Sequence, residues 1–306
     1  MLRAAVTGAR GMIGSQIVSQ LIDMGWHVNV LTRSNIQAHS QLTVIQSDIN
    51  SDKGLLKLIE GVDAVFHCAA EIYNEQKMYS TNVEGTNKLM KLLLNSKVSY
   101  LCHLSSAGVT GATSEQYITE DSACYPNNIY EKSKYESELL VSNSNLDINL
   151  CILRPTNVIS SSNIGILTLP KNNNWIDKVK VIVKGREAAH IVYAKEVANA
   201  ALYFLNNRVS GKNIFIVSYD DEPINTIIDI YNLYQSICGN NRTISYALPL
   251  AIPHFFRKLY RGNSLHGRVR FQNDKLKKNG FVFEYGVRSS LAVSYTHLTL
   301  PTKRIV

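Results

Sequence analysis

Tyr130 and Lys134 stand four apart in Tyr130-Glu131-Lys132-Ser133-Lys134, so on a helix they share one face. A tyrosine hydroxyl with an ordinary pKa near ~10 moves protons poorly at neutral pH, and a neighbouring ammonium favours the phenolate and brings it toward working range. That spacing suits proton transfer to or from a hydroxyl or carbonyl. A further hydroxyl is supplied by Leu104-Ser105-Ser106-Ala107, at the end of an apolar run that reads as a strand, where it can face a ligand crevice.

A second chemistry is written in Thr7-Gly8-Ala9-Arg10-Gly11-Met12-Ile13-Gly14, a T-G-x-x-G-x-x-G loop between an apolar strand and an amphipathic helix. Gly8 and Gly11 allow a tight turn and close approach to a pyrophosphate, Gly14 allows helix and strand to pack closely, and the helix N-terminus offers N–H groups and a positive dipole end. Gly8, Arg10, Gly11, Met12, Ile13 and Gly14 are thus candidate dinucleotide contacts. At the end of the second strand, Leu31-Thr32-Arg33-Ser34 lacks the acid that would bind ribose hydroxyls. Arg33, with Arg10, is suited to a 2′-phosphate, so NADP is favoured over NAD.

The elements that must position these residues alternate. Strands are expected at Leu2 to Val6, His27 to Leu31, Leu42 to Ile45, Ala64 to Phe66, Tyr100 to Leu104 and Ile148 to Leu153. Helices follow Gly11 and are expected around Gly54 to Ile59 and Met78 to Leu94. This is the pattern of βαβ units in an α/β, Rossmann-type doubly wound parallel sheet. Beyond about residue 155 it loosens into Ser- and Asn-rich loops, then resumes with a helix near Lys195 to Leu205 and a strand at Asn213 to Val217. The expected division is a dinucleotide-binding domain over 1–159 with returning segments around 190–218, and a smaller substrate-binding lobe over 160–292. Residues 293–306 resemble translated sequencing-adapter read-through and are set aside as non-native.

Taken together these residues resemble the extended short-chain dehydrogenase/reductase superfamily, the NAD(P)-dependent epimerase/dehydratase group. Further motifs carry the resemblance in order: Asp48-Ile49, His67-Cys68-Ala69-Ala70, Asn82-Val83-Glu84-Gly85-Thr86, Leu153-Arg154-Pro155-Thr156-Asn157 and His190-Ile191-Val192-Tyr193. The resemblance implies Tyr130 as acid/base, Ser106 as the hydroxyl that binds the substrate oxygen with Ser105 as substitute, and Lys134 on the nicotinamide ribose while lowering the tyrosine pKa. It implies Asp48 and Ile49 at the adenine, Ala69, Ala70 and Pro155 along the cofactor, Asn82 on the cofactor side of the crevice and Asn157 on the substrate side. His67 and His190 are expected to hold loops rather than to act. Two departures mark a divergent member: Thr110 replaces a tyrosine frequent in the group, and the acid usual after His190 is shifted to Lys195-Glu196.

Composition narrows the function. With 45% hydrophobic and 18% charged residues the chain is neither disordered nor membrane-spanning, no apolar run reaches the ~18 residues a span needs, and a cytoplasmic location is expected. Five scattered cysteines support neither a disulfide framework nor a metal site. The net charge of +8 is concentrated between Arg257 and Lys278, where eight Lys or Arg face Asp274 alone. With no nucleic-acid motif present, that stretch reads as a substrate-lobe clamp, with Arg268 and Arg270 on a diphosphate, or as a weak peripheral membrane contact. The leading expectation is therefore a sugar-nucleotide enzyme, a 4-keto-sugar reductase or 4-epimerase, forming a homodimer by family habit. Ala107-Gly108 occupies the place where a dehydratase carries Asp-Glu, which disfavours dehydration. An NADPH-dependent reductase of a non-nucleotide ketone, flavonoid- or hydroxysteroid-type, is the alternative, and a non-catalytic NADP-binding regulator the third reading.

Overall fold

The computed structural model describes residues 1–34, 36–160, 175–240, 243–261 and 267–299. In chain order these form β1 (Arg3–Thr7), α1 (Met12–Asp23), β2 (His27–Thr32), β3 (Leu42–Gln46), α2 (Asp52–Ile59), β4 (Ala64–His67), α3 (Glu75–Tyr79), α4 (Gly85–Leu93), β5 (Tyr100–Leu104), β6 (Tyr117–Ile118), α5 (Ile129–Ser142), β7 (Asn149–Pro155) and β8 (Asn157–Ile159). After them come α6 (Trp175–Lys184), β9 (Ile191–Tyr193), α7 (Ala194–Asn206), β10 (Lys212–Val217), α8 (Ile227–Ile237), α9 (Ala251–Arg261), β11 (Arg270–Phe271), α10 (Asp274–Lys278) and α11 (Val287–Thr299).

Seven strands join in one parallel sheet in the order β10-β7-β5-β4-β1-β2-β3. Strand alternation divides the core between its two faces. Ala4, Val6, Val28 and Phe66 meet Ile17 and Leu21 of α1 and Val197 and Ala201 of α7, in a cluster that continues into α8 and α11. Ala5, Leu31, Val65 and Leu101 meet Leu55 and Leu58 of α2, Leu89 and Leu93 of α4 and Val141 of α5. Neighbours change side between β1 and β4, the switch point at whose carboxyl ends such sheets bind ligands.

The sheet follows the expected strands closely, with three differences. Around the helix expected at Met78 to Leu94, a π turn over Ser80–Glu84 separates α3 from α4. β7 runs on to Pro155 because it pairs with β10 as far as Val217. Two short parallel pairs, β6 with β11 and β8 with β9, join segments far apart in the chain. The Ser- and Asn-rich loops expected after residue 160 lie in 161–174, outside the described residues. α11 runs past Ala292 into the segment set aside as non-native, with Ser294 buried on the Ser290 carbonyl.

Candidate active site

At the head of β1, Gly8 has φ +67°, and a Cβ there would lie 2.7 Å from the Cys68–Ala69 backbone, so only glycine fits the approach of the two strand ends. A Cβ on Gly14 would stand 2.3 Å from the Gly8 carbonyl oxygen, which fixes how closely α1 packs under the loop. No side chain caps α1 at Gly11, so its first N–H groups keep their capacity for an anion.

The loop is tied down by a chain of side chains whose proton directions follow from counting donors. Thr7 Oγ1 accepts the N–H groups of Cys68 and Ala69 at 3.1 Å each, so its own proton goes to His67 Nδ1 at 2.8 Å. His67 Nε2 then donates to Thr86 Oγ1 at 2.8 Å, and Thr86 donates to the Asn82 carbonyl at 2.6 Å. Burial, aided by the Lys134 charge, pushes His67 down to about 3, consistent with a neutral ring that accepts on one nitrogen and donates on the other.

A recess of about 350 Å³ beside the loop is walled by Gly8, Arg10, Gly11, Arg33, Asp48, Ile49, Ala69 and Ala70. Besides Asp48, a second acid enters this wall, Glu71, which no motif singled out. Its Oε1 accepts the N–H groups of Ile72, Tyr73 and Asn74 at 3.1, 3.0 and 3.2 Å, and these bonds, with the Arg33 charge adding, outweigh desolvation and lower its pKa. It shapes the turn between the two halves of the site.

The other half is a cleft of about 830 Å³ that shares Gly8, Gly11, Cys68 and Ala70 with the recess. Met12, Ile13, Gly14, Ser106, Tyr130, Lys134, Pro155 and Asn157 all line it. α5 brings in Tyr130 and Lys134; Asn128 caps this helix by accepting the Glu131 N–H at 2.8 Å, and Glu131 accepts the Asn127 N–H at 2.7 Å. One turn on, Lys134 is buried, its Nζ donating to the Leu104 carbonyl at 2.6 Å. Burial lowers its pKa to about 8, with Glu138 pulling the other way.

Tyr130 is corrected in one respect. Burial raises its pKa, and the group that draws it back is the Ser106 hydroxyl, through a side-chain hydrogen bond, rather than Lys134. The two serines divide cleanly. Ser105 donates to Glu138 Oε2 at 2.5 Å, inside a buried network in which Arg154 donates to both carboxylate oxygens at 3.0 and 2.6 Å. Ser106 is left beside Tyr130. Cys68 lines the cleft, but burial pushes its thiol up to about 12, so it stays protonated.

These residues fit a nicotinamide dinucleotide: a glycine cradle that a Cβ would fill, an uncapped helix N-terminus, and an acid/base pair in the adjoining cleft. A family model described as NAD dependent epimerase/dehydratase family matches residues 4–218. The chain belongs to that family.

Relatives of this chain in sequence include the sterol-4-alpha-carboxylate 3-dehydrogenase, decarboxylating, of Dictyostelium discoideum, 32% identical over 36% of this chain and 37% of its own. The 3 beta-hydroxysteroid dehydrogenase/Delta 5-->4-isomerase of Mycobacterium tuberculosis is 27% identical over 73% of this chain and 66% of its own. The matches thus span two thirds or less of the length of these relatives. Among solved structures, the Bordetella bronchiseptica enzyme WbmH in complex with NAD+ is similar with a TM-score of 0.77 at 18% identity, covering 97% of this chain and 98% of that one. The UDP-glucuronic acid 4-epimerase of Bacillus cereus gives 0.76 at 19%, with the same coverage.

Three expected site residues of this family member lie elsewhere. Asn82, placed by the π turn, is buried outside the cleft; its side chain accepts the Glu71 N–H at 2.7 Å and donates to the Glu71 carbonyl at 3.0 Å and to Ser133 Oγ at 2.9 Å. It therefore holds the Glu71 turn against the helix of Tyr130. Arg268 and Arg270 line a separate cavity with Arg186, because β11 pairs with β6 and carries them to that edge. Asn157 reaches the cleft with its side-chain amide donating to Ala189 O at 2.9 Å, while its backbone N–H bonds the carbonyl of His190, whose φ is +50°. Among the described residues no group of three His, Cys, Asp or Glu is placed to hold a metal, and no helix is long and apolar enough to cross a membrane.

Proposed function

We propose that this family member is a dehydrogenase or reductase that interconverts a secondary alcohol and its ketone on an apolar, non-nucleotide skeleton of the hydroxysteroid type, with NADP favoured over NAD. The chemistry rests on one observation: Ser106, Tyr130 and Lys134 share a cleft with the glycine loop. The nicotinamide would accept or supply the hydride at the carbinol carbon. Tyr130 takes or gives the hydroxyl proton, and Ser106 holds the substrate oxygen while its hydrogen bond steadies the tyrosinate. Lys134, fixed on the Leu104 carbonyl, keeps further N–H groups for the nicotinamide ribose.

The apolar substrate reading is supported by Ile72, Tyr73, Met78, Ile129 and Val158 in the walls of the cleft, and by the position of Arg268 and Arg270 in another cavity. The names of the sequence relatives agree with it. NADP is supported by Arg10 and Arg33 in the recess wall. A sugar-nucleotide reading, 4-keto-sugar reductase or 4-epimerase, would instead place the diphosphate in that other cavity, where Arg186 joins Arg268 and Arg270.

The test is nicotinamide absorbance with the purified chain. NADPH formation from NADP⁺ and a 3β-hydroxysteroid, with none from UDP-glucose, supports the apolar reading. NADPH loss only with a dTDP-4-keto-6-deoxy sugar replaces it with the second.

A further inference from the structure

We infer that the surface formed by α9 and the cavity of Arg186, Arg268 and Arg270 docks on an anionic phospholipid bilayer. Between Ile230 and Asn273 the chain has six Lys or Arg and no Asp or Glu. Within α9 the register places Ile252, Phe255 and Phe256 on one face and His254 on the opposite one. A surface helix of this pattern ordinarily buries its apolar face. Here the face is turned outward: Ile252, Phe255 and Phe256 are 39%, 59% and 57% exposed, while Pro253 on the flank is buried. Tyr246, just before the helix, is also exposed, and the adjoining Leu248 is hydrogen-bonded to Ile182 of α6, whose Trp175 and Val179 are exposed in turn.

Directly before α9, Leu250 enters the wall of a cavity of about 470 Å³ with the three arginines and Tyr117. None of the three has a carboxylate partner among the described residues, and the Nε of Arg268 is buried without a hydrogen bond. Guanidinium forks beside an outward aromatic patch match the two layers of an anionic membrane surface, with lipid phosphate at the arginines and the phenyl rings at the acyl boundary. The surface is independent of the reaction in the cleft.

The experiment is sedimentation of the full chain with vesicles of phosphatidylcholine, alone or with about one-third phosphatidylglycerol, at low and high salt. The expected result is binding to the anionic vesicles at least about tenfold stronger than to the neutral ones and weakened by salt. Phe255→Ser with Phe256→Ser, and separately Arg268→Gln with Arg270→Gln, should each weaken it about tenfold, with NADPH binding unchanged as the check on folding. Equal partition onto both vesicles, or none, overturns the proposal. So does a halved particle mass by light scattering in the phenylalanine variant, which assigns the patch to a second copy of the chain. A rise in KM for a sugar nucleotide in the arginine variant without loss of vesicle binding also overturns it, since the arginines are then a diphosphate clamp.

Discussion

Ser105 gives its hydroxyl proton to Glu138 at 2.5 Å, and this one bond decides which of two adjacent serines is free for substrate. Glu138 already accepts two bonds from the buried Arg154, so Ser105 belongs to a structural network, and Ser106 is the serine given to the proposed reaction. Ser106→Ala should lower kcat/KM about 100-fold or more and leave the thermal midpoint nearly unchanged. Ser105→Ala should do the reverse, costing about 1–3 kcal/mol of stability because a buried carboxylate loses a donor. Steady-state rates and thermal unfolding on the same two preparations separate the roles.

Lys134 is held against its own solvation. Its pKa of about 8 lies below the ordinary 10.5, so between those values the unfolded chain binds a proton that the folded chain has released. The resulting destabilisation is full below pH 8 and is relieved as pH rises toward 10.5; taken at face value the shift is of the order of 3 kcal/mol. Lys134→Met should therefore unfold at higher denaturant than the parent at pH 7, with the gap narrowing by pH 10, while turnover is lost. A variant less stable than the parent at pH 7 would show that the bond to Leu104 outweighs the desolvation.

His67 gives a second dependence of the same origin on the acid side. Its pKa of about 3 against an ordinary 6.5 means the unfolded chain binds the extra proton first. The stability held by the neutral ring is complete above pH 6.5 and falls as pH drops toward 3. His67→Gln should flatten the slope of unfolding free energy against pH in that window, and the parent's ring resonances should not shift above pH 5.

Cofactor choice should be carried by two exposed arginines. Arg33→Asp ought to weaken NADPH binding about tenfold or more and spare NADH, and Arg10→Ala should weaken NADPH by a smaller factor. Cofactor fluorescence titrations read both, and an equal loss for the two nucleotides would remove the 2′-phosphate from their role.

Much of this was legible beforehand, for definite reasons. The seven sheet strands are short apolar runs between helix-like stretches, and Gly8, Gly11 and Gly14 mark a turn whose geometry admits no Cβ at the first and last of them. Tyr130 and Lys134 declare themselves by helical spacing. What stayed hidden depends on contacts between distant segments. The resemblance favours Ser106 over Ser105, but the physical reason appears only when α5 brings Glu138 to the end of β5. The π turn around Asn82 adds a residue to a helical turn without altering its composition, and Glu71 carries no pattern until its carboxylate is seen gathering three N–H groups. Arg268 and Arg270 read as a clamp in a basic stretch, and the β6–β11 pairing then carries them away from the cleft.

The central claim, hydride transfer at a carbinol or keto carbon under Tyr130, is tested most directly with NADPH deuterated at the transferring position and a 3-ketosteroid, analysed by mass spectrometry. The account predicts an alcohol carrying deuterium on its carbinol carbon, formed by the parent and at least about 100-fold more slowly by Tyr130→Phe. Labelled alcohol formed equally fast by both proteins would contradict the role of Tyr130, and no labelled alcohol from either this ketone or a 4-keto sugar nucleotide would contradict the reaction itself.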